Sequence, residues 1–293
     1  MEYTDFGNTG IKVSRLGFGA GHIGNQDTDE RSIEHLLNAV LDHGITLIDT
    51  ARSYGESEQR IGRYLSHRRG EFILSTKVGY TFSDKPDWSY DATMGSLHES
   101  LIRLKTDYID IVHLHSCDKQ VLEHGEATAA LEKAKVQGKI RVVAYSGEND
   151  ALAYAIQSGQ FGSLQCSVNL FDQNSLISRV PEAVARGMGI IAKRPLGNAV
   201  WRYDSRPNGH GHAVYFDRLH QLNLDLHGLT WNELSIRYAA FSPGVSSIIT
   251  GTMKSEHLAD NIRFLEKGRL PDEIIRHIES RFIEKGTGWD GLI

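Results

Sequence analysis

Four ionisable residues stand at or just beyond the ends of short apolar runs between positions 46 and 115. Thr46-Leu47-Ile48 stops on Asp49, with Tyr54 following in a glycine-flanked loop; Phe72 to Thr76 stops on Lys77; Ile109 to Leu114 stops on His115. A free phenol titrates at about 10 and exchanges protons poorly near neutrality. An adjacent ammonium stabilises its phenolate, and a carboxylate partner keeps that ammonium charged inside a low-dielectric site. A histidine beside the phenol can hydrogen-bond a carbonyl oxygen and polarise it. The set suits proton delivery to a carbonyl that is receiving hydride. Each residue alone has a plainer role, as loop cap, structural ion pair or core histidine. Four together at successive strand ends favour chemistry.

The elements that would position these groups alternate along the chain. Hairpin-like turn residues, Phe6-Gly7-Asn8-Thr9-Gly10, come first. Strands are predicted over 16–20, 46–49, 72–77, 109–115, 140–146, 163–169, 189–194 and 245–250. Helices are predicted near 31–42, 56–66, 90–104, 126–137, 149–158, 178–186, 230–240 and 255–264, with one more near 272–284. This run of strand–helix units without a linker predicts a closed (β/α)8 TIM barrel with a short N-terminal hairpin and an extra C-terminal helix. Residues 1–293 then form a single domain. In such barrels the site lies at the carboxyl ends of the strands, where Asp49, Lys77 and His115 fall. The polar stretch 197–229 is expected to be a long loop and the one candidate for a lid.

A net charge of −5 and a pI of about 6.3 supply no global basic field for nucleic acid or an anionic membrane. No apolar run nears the roughly 20 residues of a membrane span, and Met1 to Asp5 lacks the features of a signal peptide. Cys117 and Cys166 are too few for a disulfide framework or a cysteine-based zinc site. No metal is expected, and a reducing cytoplasm is the default.

From Gly7-Asn8-Thr9-Gly10-Ile11-Lys12-Val13-Ser14 to Asn261 the chain resembles the aldo-keto reductases. The likeness runs through the Asp49-to-Tyr54 segment, Ser75-Thr76-Lys77, and Asp107-Tyr108-Ile109-Asp110 leading to Leu114-His115. The resemblance implies Tyr54 as general acid/base, Lys77 and Asp49 as the groups tuning it, and His115 as the residue orienting the carbonyl. It also implies a nicotinamide cofactor whose carboxamide is held by a Ser-Asn pair and a Gln. Ser146 and Gln165 match, but Gly147 replaces the asparagine, and Asn169 is a candidate substitute. Where the family often stacks a tyrosine on the nicotinamide, this chain reads Ala192-Lys193-Arg194-Pro195-Leu196-Gly197. Lys193 or Arg194 is expected to reach the pyrophosphate, and an arginine plane can also stack on a ring; solvated rim charges are the plainer reading.

After the last strand, Gly251-Thr252-Met253-Lys254-Ser255 opens a helix whose amino terminus can seat phosphate. In relatives, basic side chains here grip the ribose 2′-phosphate and an asparagine at the Asn261 position contacts adenine. Lys254 supplies one charge and His257 stands where an arginine is frequent, which leaves NADP(H) ahead of NAD(H). Gly19-Ala20-Gly21-His22-Ile23-Gly24 also spells G-x-G-x-x-G, but Asn25 to Asp29 delay the helix that a dinucleotide-binding βαβ unit starts within its glycines. Gly19 and Gly21, with Ala20 between them, are better read as letting backbone approach the nicotinamide end of the cofactor.

The function implied is an NAD(P)H-dependent oxidoreductase interconverting an aldehyde or ketone and its alcohol. The loops expected to shape the pocket are roughly 80–90, 116–125, 197–229 and the tail after 284, and Asp118, Arg202, His210 and His212 in them point to a hydroxylated substrate such as a sugar or short hydroxyaldehyde. Trp88 and Trp201 are candidates for the pocket wall, and Met188 reads as core. The alternative is a nicotinamide-binding regulatory subunit with little turnover, resembling potassium-channel β subunits. Oligomeric state is left open.

Overall fold

Eight parallel strands close on themselves in a computed structural model that describes residues 1–80 and 82–293. The chain opens with β1 (Tyr3–Asp5) and β2 (Lys12–Ser14), an antiparallel hairpin separate from the barrel. Then come β3 (Leu16–Gly19), α1 (Glu30–Asp42), β4 (Leu47–Asp49), α2 (Ser57–Leu65), β5 (Ile73–Val78), α3 (Tyr90–Leu104) and β6 (Ile109–His115). The next elements are α4 (Lys119–His124), α5 (Glu126–Val136), β7 (Ile140–Ser146), α6 (Asn149–Ser158), β8 (Ser163–Ser167), α7 (Asn174–Ser178), α8 (Val180–Ala185) and β9 (Gly189–Lys193). The chain ends with α9 (His210–Leu222), α10 (Trp231–Ala240), β10 (Ser247–Thr250), α11 (Ser255–Glu266) and α12 (Asp272–Lys285). Around the barrel the order is β10-β3-β4-β5-β6-β7-β8-β9, so the last strand docks on the first, with Ile248 opposite Leu16.

Period decides which side of each element is buried. On α1, Ile33, Leu36, Leu37, Val40 and Leu41 fall at helical spacing and are all buried, and Asp29 caps the helix by accepting from the Ser32 N–H. Inside the barrel, alternate strand residues point inward. Leu47, Ile111, Val142, Ala144 and Ile191 form an apolar layer, closed from below by Phe6, Ile11 and Val13 of the hairpin segment. Two residues further along those strands the inward positions turn polar: Asp49, His113, Ser146 and Lys193. The hairpin thus seals the amino-terminal end and leaves polar chemistry at the other. Gly7, at φ +54°, permits this plug: a side chain there would fall 2.3 Å from the Gly187 carbonyl oxygen.

The structure corrects the expectation of a long loop over 197–229. Gly197–Arg202 is a 3-10 turn, and α9 follows, burying Ala213, Tyr215 and Leu222 while Arg218 donates to the Phe171 and Asp290 carbonyls. The helix expected near 178–186 is instead the pair α7 and α8, and α4 occupies part of the expected loop 116–125. Thr81, within the loop 80–90 expected to shape the pocket, lies outside the described residues. Among the described residues no helix is long and apolar enough to cross a membrane.

Candidate active site

Asp49, Lys77 and His115 sit on β4, β5 and β6 at the carboxyl ends, and Tyr54 stands in the turn between β4 and α2. All four face one cavity of about 720 Å³. The glycines of the 19–24 segment have a different task from phosphate binding. A side chain at Gly24 would strike the Tyr54 carbonyl at 2.0 Å, and one at Gly55 would strike the Gly24 carbonyl at 2.3 Å. The 3-10 turn Ala20–Gly24 therefore nests against the Tyr54 loop and fixes it, helped by the Glu56 N–H donating to the Gly24 carbonyl. Ala20 is buried off the cavity wall, its carbonyl accepting from the Ser57 hydroxyl at 2.8 Å.

One carboxylate organises the floor. The Lys77 ammonium donates to Asp49 Oδ2 at 2.5 Å and to the Thr50 carbonyl at 2.8 Å. Asp49 Oδ1 accepts from the Ser75 hydroxyl at 2.8 Å and from Gln165 Nε2 at 3.0 Å, while the Ser146 hydroxyl donates to Gln165 Oε1 at 3.0 Å. Lys77 Nζ lies 5.1 Å from the centre of the Tyr54 ring. Burial alone would lower the lysine's pKa, but the Asp49 carboxylate and the Tyr54 phenol together hold it above its ordinary value. Lys77 is therefore a permanent cation beside the phenol at neutral pH.

His115 carries no charge. Burial first, then the Lys77 and Lys193 cations, push its pKa down to about 2. A neutral imidazole can donate one N–H to a carbonyl oxygen without adding a proton to the reaction. Tyr54 meets its ring edge-on at 5.9 Å between centroids, and Tyr80 packs on it at 5.0 Å, with the Tyr80 and Ser53 hydroxyls 3.2 Å apart. No motif marks Tyr80 in the sequence beyond its place three residues after Lys77. Trp88 packs on Tyr80.

Of the residues expected to hold a cofactor, Gly19, Gly21, Ser146 and Gln165 line the inner part of the cavity. Arg194, Pro195, Leu196, Gly251, Thr252, His257 and Asn261 continue the wall outward. Asn261 donates to Thr250 Oγ1 at 3.2 Å, and His257 pairs with Thr252 Oγ1 at 3.2 Å. Three expected residues lie off the wall. Ala20 is buried behind it, Gly197 is covered by the Phe171 ring, and Lys254 is 65% exposed and paired with Glu256 at 3.6 Å.

Lys193 reaches the wall but is committed to Glu148 at 3.2 Å, a buried acid that also accepts from the Ser167 N–H. That ion pair holds the Lys193 ammonium at the cavity wall. Arg194 donates to Ser167 Oγ at 3.3 Å and to the Leu292 carbonyl. Asn169 does not substitute for the missing asparagine: its side chain is spent on the Tyr215 hydroxyl and the Phe171 N–H, away from the cavity. Gly147 has a steric cause, since a side chain there would lie 2.2 Å from the Tyr145 hydroxyl oxygen.

Among the polar loop residues, Arg202 and His212 line the cavity with Trp201, which stacks on Trp231 at 5.7 Å. Asp118 caps α4, and His210 opens α9 off the wall. Met188 is buried in the core. Cys117 is passive: burial pushes its thiol up to about 12, and its carbonyl accepts from Tyr145. The residues present fit a nicotinamide dinucleotide. Gly19, Gly21 and Gly251 bring bare backbone to the cavity wall, and the Ser146–Gln165 pair offers amide-matching hydrogen bonds.

Comparison with known proteins gives the same picture over almost the whole chain. The profile of the Aldo/keto reductase family matches residues 15–281. An uncharacterized oxidoreductase of Bacillus subtilis, YqkF, is 29% identical over 96% of each chain. L-galactose dehydrogenase of Arabidopsis thaliana is 26% identical, over 96% of this chain and 94% of that one. The solved holo form of an aldo-keto reductase from Bacillus halodurans superposes with a TM-score of 0.85 at 26% identity, covering 98% of this chain and 97% of that one. The family's extent coincides with the barrel and with every strand end that carries an ionisable group, and the chain belongs to the aldo/keto reductase family.

Proposed function

We propose that this chain is an NADP(H)-dependent oxidoreductase interconverting an aldehyde or ketone with its alcohol, residues 1–293 acting as one unit. The observation that carries the reading is the Asp49–Lys77 pair buried beside Tyr54, with a neutral His115 facing the same cavity. When bound, the nicotinamide supplies or accepts the hydride. Tyr54 gives a proton to the carbonyl oxygen in reduction and takes it from the hydroxyl in oxidation. Lys77, held charged by Asp49, lowers the cost of the phenolate between those two states. His115 orients the oxygen through one N–H.

A hydroxylated carbonyl such as an aldose is the substrate class to test first. It is supported by the full-length likeness to L-galactose dehydrogenase and by Arg202 and His212 on the wall. The preference for NADP(H) rests on His257 at the outer wall and Lys254 just beyond it. The proposed setting is the cytoplasm, in keeping with two buried, unpaired cysteines.

The test is a screen at 340 nm pairing NADPH and NADH with aldehydes, ketones and sugars. Tyr54→Phe is expected to lower turnover by about 10²–10⁴-fold while leaving the cofactor dissociation constant nearly unchanged. Unaltered turnover in that variant refutes the assignment. Tight cofactor binding with negligible turnover on every substrate would favour the regulatory-subunit reading.

A further inference from the structure

We infer that His113 is a positioning residue for the proposed reaction: through the Ser75 hydroxyl it fixes the Asp49 carboxylate that keeps Lys77 charged beside Tyr54. The inference rests on the oxidoreductase reading above. His113 lies on β6 two residues before His115, so its side chain also enters the barrel, where it is fully buried. Its Nε2 is 3.1 Å from Ser75 Oγ.

Proton counting fixes the direction of that contact. A serine hydroxyl has one proton. Ser75 Oγ is also 2.8 Å from Asp49 Oδ1, and an ionised carboxylate can only accept. The serine proton therefore goes to Asp49, and the proton between Ser75 and His113 must sit on Nε2. Nδ1 is buried without a hydrogen bond of normal geometry; the Tyr145 backbone beside the ring favours a proton on it, but burial outweighs that contact and leaves Nδ1 bare.

The surroundings keep that tautomer. Asp49 on β4 faces the ring as an anion, but Lys77 on β5 and Lys193 on β9 oppose a further positive charge, and His115 on the same strand is neutral. His113 thus serves as a fixed donor rather than an acid or base. Its N–H holds the Ser75 oxygen so that the Ser75 proton stays on Asp49, alongside the donors from Gln165 and Lys77. A carboxylate anchored by three donors cannot swing away from the lysine. Without the N–H, Ser75 loses its only side-chain donor among the described residues, its hydroxyl is free to turn, and one anchor of Asp49 goes with it.

Two measurements test this. In protein labelled with 15N in its imidazoles, without cofactor, His113 should show the neutral Nε2–H form at every pH from about 5 to 8; a proton on Nδ1 overturns the inference. In steady-state kinetics with any substrate found in the 340 nm screen, His113→Leu should move the limb of the pH–rate profile belonging to the Tyr54–Lys77 pair upward by about one unit. It should also lower kcat/KM at pH 7 about tenfold, with the cofactor dissociation constant unchanged. His113→Gln, whose amide can still donate, should restore the wild-type profile. Ser75→Ala should reproduce the leucine effect, and the double variant should add nothing to it. A leucine variant that melts earlier but keeps its pH profile shows a merely structural histidine and overturns the inference. Absence of turnover in the wild type sinks the oxidoreductase reading, and the positioning role with it; turnover with an unmoved profile sinks the role of His113 alone.

Discussion

Asp49→Asn isolates what the buried carboxylate does. Lys77 and Asp49 are each 2% exposed, so the variant leaves a buried ammonium with neutral partners and no anion beside it. Breaking a buried pair in this way costs about 3–5 kcal/mol. The protein can instead shed the lysine proton, which at pH 7 costs about 4.6 kcal/mol for a group of ordinary pKa near 10.4. The two routes are nearly equal, so a loss of about 3–5 kcal/mol is expected at pH 7. Only the second route depends on pH: at pH 9 shedding the proton costs about 1.9 kcal/mol, and the deficit should shrink to about 2 kcal/mol. Urea unfolding of wild type and variant at both pH values reads this directly. Removing both charges, as Asp49→Asn with Lys77→Met, should recover part of the loss. A deficit below about 1 kcal/mol at pH 7, or one that does not change between pH 7 and 9, refutes the claim that Asp49 holds Lys77 charged.

Three further outcomes follow from the geometry. Gly147→Asn restores the family's asparagine but drives a side chain into the Tyr145 hydroxyl, which donates to the Cys117 carbonyl at 2.7 Å. A loss of about 2–4 kcal/mol in urea unfolding is expected, and unchanged stability would show that Tyr145 is not what excludes the side chain. His113, whose pKa burial pushes down to about 3, and His115, at about 2, are neutral when folded but take up protons below about 6.5 when unfolded. Their contribution is present above that pH and lost as pH falls, by about 2 kcal/mol each at pH 5. Asp172, pushed up to about 6 by burial, has the opposite sign and offsets about 1 kcal/mol, so these three groups together should lower stability by about 2–3 kcal/mol at pH 5 relative to pH 7. Lys254→Ala should weaken NADPH binding about tenfold while sparing NADH; equal effects on both would remove this lysine from any role in choosing the cofactor.

The barrel and the gathering of Asp49, Tyr54, Lys77 and His115 at one cavity were legible because each rests on a short-range rule. Strand runs of Leu, Ile and Val alternate with helices whose apolar residues recur at three and four, and the ionisable residues end those runs. α9 was hidden because its buried face includes Arg218 and its first turn reads His-Gly-His, so no apolar stripe betrays it. The Lys193–Glu148 pair was hidden for a related reason: Glu148 follows β7, and nothing local says that an acid after Ser146-Gly147 will be buried. The G-x-G-x-x-G string shows a motif with the right spelling and another cause, since its last glycine makes room for the Tyr54 backbone. His113 is not legible in the sequence because one histidine in an apolar strand looks like its neighbour until the third dimension supplies Ser75.

The seam between β10 and β3 bears on how the protein responds to its ligand. Gly19 and Gly251 lie on either side of that junction, where a side chain at Gly251 would fall 2.9 Å from the Gly19 carbonyl oxygen, and both line the cavity. Until the final strand docks, half of the binding trough does not exist, and β3 offers a bare edge. A dinucleotide lying across the junction would act as a clasp, adding RT ln(1 + [L]/Kd) to the closed form and none to the open one. Resistance to proteolysis should then climb with cofactor concentration even where no substrate is present.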